Sequence, residues 1–351
     1  MDTKEQMKPI ERVVAALNHK QADRVPVYPL LNGVGRSLVG AGYKKWATDA
    51  ETCAEAYIKV TDEIEPDCIC TLTDLSVEAG DFGQKIIYPE TEAAHPDIHD
   101  RLIKNVDDFA GIKKINPRTS PRMSTHIQLC DKLVKAKGAD YPIAAFVFGP
   151  LGIASMLRDQ AALYMDIYDK PDLVKSAVEQ INETLIDYCD ALIETGVHAI
   201  MIDTLFASKS IMSKDMWLEF EGGFVRKLAD HIHSKGCMVM IHNCGCGVYF
   251  DVQIETMKPE AISFLHVPDD CESYADAKAK YGSKTTLIGA IDPTWLPQAS
   301  TQELEEKCKE HIDIFKKDGG YVLATGCEYP ANLDLDHART MVKMAKTYGK
   351  Y

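Results

Sequence analysis

Apolar residues along this chain gather in short, nearly continuous runs separated by longer amphipathic stretches. Eight runs stand out: residues 25–30 (VPVYPL), 67–72 (DCICTL), 143–148 (IAAFVF), 198–203 (HAIMID), 237–242 (CMVMIH), 261–265 (AISFL), 285–289 (TTLIG) and 321–325 (YVLAT). None alternates strictly between apolar and polar, which is the signature of parallel strands covered on both faces. Between them the pattern changes to a helical period. Residues 11–17 predict a first amphipathic helix. Residues 171–194 carry Leu173, Val174, Ala177, Ile181, Leu185, Ile186 and Leu192 close to the 3.6 spacing. Ser300 and Glu303 have the separation of a capping box, helix 304–315 follows, and Gly319-Gly320 can end it before the last strand.

Eight strands alternating with helices predict a (β/α)8 TIM barrel. The longest break in the rhythm, residues 73–141, predicts an insertion between strands 2 and 3, with a hairpin around 86–89 above the barrel mouth. The helix at 11–17 reads as an N-terminal extension, and residues 1–351 as one barrel domain. A doubly wound open sheet would share the rhythm, but no G-x-G-x-x-G follows a strand and no P-loop lysine motif occurs.

Composition narrows the function. Of 351 residues, 53 are Asp or Glu and 39 Lys or Arg, a formal charge of −14, so the chain has no net attraction for nucleic acid or anionic lipid. No apolar run reaches the ~18 residues of a membrane span. The polar start MDTKEQMKPIERV is unlike a signal peptide, and a cytoplasmic location is expected. Eleven cysteines, an odd number, then read as thiols, metal ligands or small core residues, not as a disulfide framework.

Catalytic groups of such barrels lie at the C-terminal strand ends. Those ends carry Asp74 and Glu78 after strand 2, Asp203 at strand 4, His242-Asn-Cys244 at strand 5, His266 after strand 6, Asp292 after strand 7 and Cys327 after strand 8. His242, Cys244 and Cys327 form an imidazole and thiolate set of the kind zinc favours. The motif HNCGC offers a second sulfur, Cys246, and spacing does not choose between them. A packed histidine and a buried thiol would give the same letters. Asp292-Pro293 also reads as a turn, Asp74 as a turn cap, Glu78 as a solvated helix face and Arg36 as a surface ion pair. Trp46, Trp217 and Trp295 read as core or rim aromatics.

Several segments together resemble the uroporphyrinogen decarboxylase superfamily over most of the chain. They are ERVVAALNHKQADRVPVYPL at the start, Thr73-Asp74-Leu75 with Glu78-Ala79-Gly80, Gly149-Pro150-Leu151, LIGAIDP from Leu287 to Pro293, and GYVLATGCE from Gly320 to Glu328. The decarboxylases carry an Arg-Gln-Ala-Gly-Arg cluster where this chain has Asn32-Gly-Val-Gly-Arg36, one arginine fewer for a polycarboxylate substrate. His242-x-Cys244 with Cys327 is instead similar to the zinc pattern of the cobamide-dependent methyltransferase branch, which includes methylcobamide:coenzyme M methyltransferases.

That resemblance implies a zinc-dependent methyltransferase acting on the cobalt of a corrinoid. No Asp-x-His-x-x-Gly stretch occurs in this sequence, so the corrinoid would arrive on a separate protein. It implies Asp74 and Glu78 as catalytic or ligand-orienting acids. Arg36, Asn32, Asp203, His266 and Asp292 are expected around a small methylated substrate or a methyl acceptor. Two departures, HNCGC in place of His-x-Cys-Gly-Asn and Ser263-Phe-Leu-His266 in place of Ser-Val-Asp, lean toward a demethylating role on a methoxylated aromatic or another small methylated compound. A metal-free carboxy-lyase and a non-catalytic corrinoid or metal carrier are the alternatives. Either a monomer or a homodimer accords with the superfamily.

Overall fold

The computed structural model describes residues 6–351. Its strands are β1 (Val27–Tyr28), β2 (Ile69–Thr71), β3 (Ile86–Ile87), β4 (His95–Pro96), β5 (Ile143–Phe148), β6 (Ala199–Asp203), β7 (Met238–Asn243), β8 (Ala261–Phe264), β9 (Thr286–Ile291) and β10 (Tyr321–Thr325). Eight of them form one sheet in the order β1-β10-β9-β8-β7-β6-β5-β2, and every neighbouring pair is parallel. β3 and β4 pair antiparallel as a separate hairpin. All eight expected strands are present, surrounded by helices, in a nearly closed (β/α)8 barrel. Their continuous apolar character follows from burial on both faces, by helices outside and by the barrel filling inside.

β1 and β2 stand at the two ends of the strand order and close the barrel without a ladder. The Asp67 amide donates to the Val27 carbonyl at 2.8 Å, and the Val27 amide donates to Asp67 Oδ2 at 2.7 Å. Both oxygens of that buried carboxylate also receive arginines, Nη1 of Arg12 at 2.5 Å and Nη1 of Arg24 at 2.6 Å. Arg12 comes from the helix Pro9–Leu17, which otherwise buries Val13 and Ala16 against the barrel floor. The side chains thus supply a closure that the two short strands do not.

Helix Pro171–Ile193 matches its apolar pattern, and helix Thr301–Phe315 starts at Ser300 with the expected capping box. The expected excursion after β2 holds a short helix (Val77–Asp81), the β3–β4 hairpin, a 3-10 turn (Val106–Gly111) and the helix Pro121–Lys137. Thr91 in the hairpin loop accepts a hydrogen bond from Asn332 in the loop after β10, so the excursion reaches across to the β1–β10 side of the barrel. No helix among the described residues is long and apolar enough to cross a membrane.

Candidate metal centre

β7 delivers His242 into the barrel, where its ring faces Phe146 of β5 at 6.3 Å between centroids. His242 pairs in register with Ser263 of β8, and its Nδ1 lies 3.0 Å from Ser263 Oγ. That contact leaves Nε2 as the nitrogen free for another partner. The next residue, Asn243, is buried and ties the strand end to the loop after β6: its Nδ2 donates to the carbonyls of Thr204 and Ala207 at 2.8 and 3.1 Å. Its Oδ1 accepts from the Gly245 amide at 2.9 Å, which folds the chain back just after Cys244. A Cβ at Gly245 would fall 2.4 Å from Ser208 Oγ, so only glycine fits this fold-back.

Cys327 arrives from the end of β10 along a similarly close path. The Gly326 amide donates to the Ile291 carbonyl at 2.8 Å, and a Cβ on Gly326 would come within 2.6 Å of Leu265 Cα. One donor atom each from His242, Cys244 and Cys327 lies within 4.8 Å of the other two. Cys246, two residues on, is exposed and is not one of the group. The two sulfurs that sequence spacing could not separate therefore have different surroundings.

These three groups compete for protons. Cys244, and after it His242, hold the Cys327 thiol well below its ordinary range despite burial, while Cys327 pushes the Cys244 thiol far up. Burial works against a charged imidazole at His242, yet Cys327 and Asp203 raise its proton affinity above the usual value. One nitrogen and two sulfurs sharing protons are the donor set that zinc takes up in place of those protons, and the residues fit that ion.

Asp203 closes β6 directly across from His242 in register. It is buried, and its Oδ1 has no hydrogen-bond partner. Burial pushes its carboxyl up to about 7; His242 opposes the shift and Cys327 adds to it. Beside Cys327, Glu328 accepts a hydrogen bond from the Gly33 amide at 2.9 Å, and burial pushes its carboxyl up to about 7.

The remaining expected residues are spread around the mouth. Asp74 is buried with Oδ2 facing Arg122 Nη2 at 2.5 Å and Oδ1 accepting from the Ser76 amide at 2.9 Å. Arg122, from the helix Pro121–Lys137, also donates to the Tyr88 hydroxyl at 3.0 Å. Glu78 is no solvated helix face: it is buried, its Oε1 accepts from the Phe148 amide at 3.1 Å, and burial pushes its carboxyl up to about 8. Asn32 is buried and accepts from the Tyr57 hydroxyl at 3.3 Å. Arg36 bonds Asn332 and lies 4.3 Å above the Tyr43 ring, and among the described residues no acid forms the expected surface ion pair with it. His266 is partly buried and lies outside the three-donor group. Asp292 turns the chain, its Oδ1 accepting from the Thr294 amide at 2.8 Å and hydroxyl at 2.7 Å. Trp46 and Trp217 are fully buried, and Trp295 packs at the edge of the core.

Sequence reasoning did not reach the roles of Ser263, Arg122 or Glu328. Ser263 entered only as the start of the segment leading to His266, because a serine within a strand is unremarkable until its register partner is known. Arg122 lies 48 residues beyond Asp74. Glu328 had a signal: it directly follows Cys327 in the last strand-end motif.

Similar proteins agree with this architecture. A methylcobamide:CoM methyltransferase, MtaA, of Methanosarcina barkeri is 26% identical over 351 residues, covering 96% of this chain and 97% of its own. A uroporphyrinogen decarboxylase of Helicobacter hepaticus is 22% identical over 356 residues, covering 96% and 99%. A solved methyltransferase from Methanosarcina mazei shares the fold at a TM-score of 0.83 with 21% identity, over 98% of this chain and 99% of that one. The sequence pattern of the uroporphyrinogen decarboxylase (URO-D) family matches residues 8–348, and the chain belongs to that family.

Proposed function

We propose that this chain is a zinc-dependent methyltransferase that moves a methyl group between a small methylated compound, or a thiol-like acceptor, and the cobalt of a corrinoid carried by a separate protein. The observation that carries this reading is the convergence of His242, Cys244 and Cys327 within 4.8 Å at the C-terminal end of the barrel. The family includes relatives named for methyl transfer from methylcobamide, which supports it.

Zinc held by one imidazole and two thiolates would supply Lewis acidity at an open position, favouring a bound thiol as thiolate or drawing on the heteroatom that bears the methyl. The protein's own contribution is positioning. Ser263 orients the His242 ring through its contact with Nδ1, in the way outer partners tune such ligands. Asn243 and Gly245 hold Cys244 inward. Asp203 presents a buried, unpartnered Oδ1 beside the centre, an acceptor for a hydrogen-bond donor on the substrate. Arg122 commits its charge to Asp74, and Arg36 is engaged by Asn332 and Tyr43. No free pair of arginines remains there for a polycarboxylate tetrapyrrole, which weighs against the decarboxylase alternative.

Within this reading, the demethylating direction is the one we favour, from the HNCGC and His266 departures. Methyl transfer is tested directly by incubating the protein with methylcobalamin and thiols, and with Co(I) corrinoid and methoxylated aromatics, and following the cobalt spectrum. Methyl loss or uptake that disappears in Cys327→Ser supports the proposal. No spectral change with either set, or equal activity in Cys327→Ser, overturns it.

A further inference from the structure

The interior of such a barrel is ordinarily filled by branched aliphatic side chains. Below the candidate centre this one carries a cluster of sulfur side chains among its aliphatic ones. Cys68, Cys70, Met201, Met238 and Met240 all line one cavity of about 30 Å³ on the barrel floor, with Tyr28 beside them. Cys and Met together number only 11 and 13 in 351 residues, so five in one small cavity is a strong concentration.

We propose that this floor is a second, separate metal site, taking a soft monovalent ion of the Cu(I) type between Cys70, Met201 and Met240. Cys70 Sγ lies 3.8 Å from Met201 Sδ. Two sulfurs at ~2.3 Å from a tetrahedral ion stand about 3.8 Å apart. Met240 is the register partner of Met201 on the next strand, and both line the cavity. A thiolate serves either ion, but the two thioethers suit Cu(I) and are not among the donors zinc takes.

Charge makes the same selection. The lining is apolar apart from His198, whose imidazole is kept toward the neutral form by burial, and one thiolate neutralises one monovalent ion, whereas a divalent ion would leave an unpaired charge out of water. Binding forms a Cys70 S–metal bond and releases the thiol proton to solvent, with no change of oxidation state. The buried Tyr28 hydroxyl stands beside Cys70 and favours its thiolate form. Burial keeps the free Cys70 thiol up at about 12, so uptake strengthens as pH rises. Cys68, Met238 and Met240 are only partly buried, which leaves the cavity a route of entry. Met240 lies two residues before His242, about 7 Å along the strand, so the two sites do not share an ion.

The test is an anaerobic titration of the full chain, as purified, with Cu(I) buffered by a bicinchoninate competitor, with zinc release followed in parallel. The expected result is one Cu(I) retained per chain without zinc release, a sulfur-only shell by X-ray absorption, and at least tenfold weaker retention in Cys70→Ser and in Met201→Leu. Met201→Leu conserves volume, and its far-UV circular dichroism should match the parent. Cys327→Ser and Cys246→Ser should retain the ion. No retained Cu(I), or retention that survives Met201→Leu and Cys70→Ser but is lost in Cys327→Ser or Cys246→Ser, overturns the proposal.

Discussion

Ser263 Oγ lies 3.0 Å from Nδ1 of His242, on the strand paired with it in register, so one serine decides which imidazole nitrogen faces the two cysteines. Removing it leaves the ring in place but frees its rotation. Ser263→Ala should weaken zinc binding by about 10–100-fold, measured by competition with a chelator, and Ser263→Thr should restore part of the loss. Unchanged affinity in the alanine variant would mean the contact does not orient the ring.

The fold-back at Gly245 separates the two sulfurs of HNCGC, one grouped with His242 and one exposed. Cys246→Ser should therefore keep the zinc content of the parent, while Cys244→Ser loses it. Thiol labelling of the zinc-loaded protein should reach Cys246 first. The reverse order of metal loss would place the ligand on the wrong side of the turn.

Arg122 and Asp74 form a pair with almost no solvent contact, their side chains 9% and 0% exposed. Replacing one member leaves the other charge buried and unpaired. Arg122→Met should cost about 3–5 kcal/mol of stability, read from urea unfolding, and the double change with Asp74→Asn should recover part of it. A loss below about 1 kcal/mol would show that water reaches the pair.

Glu78 gives the fold a dependence on pH. Its carboxyl is held up at about 8 by burial, far above the unfolded value near 4.5, so between these values the folded chain binds the extra proton. Its contribution is full below about 4.5 and is lost as pH rises toward 8. Glu78→Gln keeps an acceptor for the Phe148 amide and cannot ionise. The variant should gain stability relative to the parent as pH rises through this window, by thermal unfolding at several pH values. A difference that does not vary with pH would contradict the buried, neutral state.

How much of this was legible beforehand differs between fold and site. The eight barrel strands were readable because burial on both faces makes each a nearly continuous apolar run, with its few polar residues mostly toward the C-terminal end. Their ends were less so. β1 shrinks to Val27–Tyr28 because its far edge meets Asp67 and not a ladder, and β9 runs on to Ile291 against β10. The three donors were found at strand ends, where barrel geometry sends side chains inward. What local pattern could not supply was partnership across the barrel: the serine behind His242, the arginine behind Asp74, and the amide of Phe148 that fixes Glu78. Each depends on strand register or on a helix remote in sequence.

The most direct measurement is zinc content and the zinc K-edge absorption spectrum of the anaerobically purified protein. About one zinc per chain is expected, with two sulfurs at ~2.3 Å and a nitrogen at ~2.0–2.1 Å among its ligands. The protein-derived part of that shell should disappear in Cys327→Ser. A washed, folded protein that binds no zinc, or a shell without sulfur, would contradict the zinc centre.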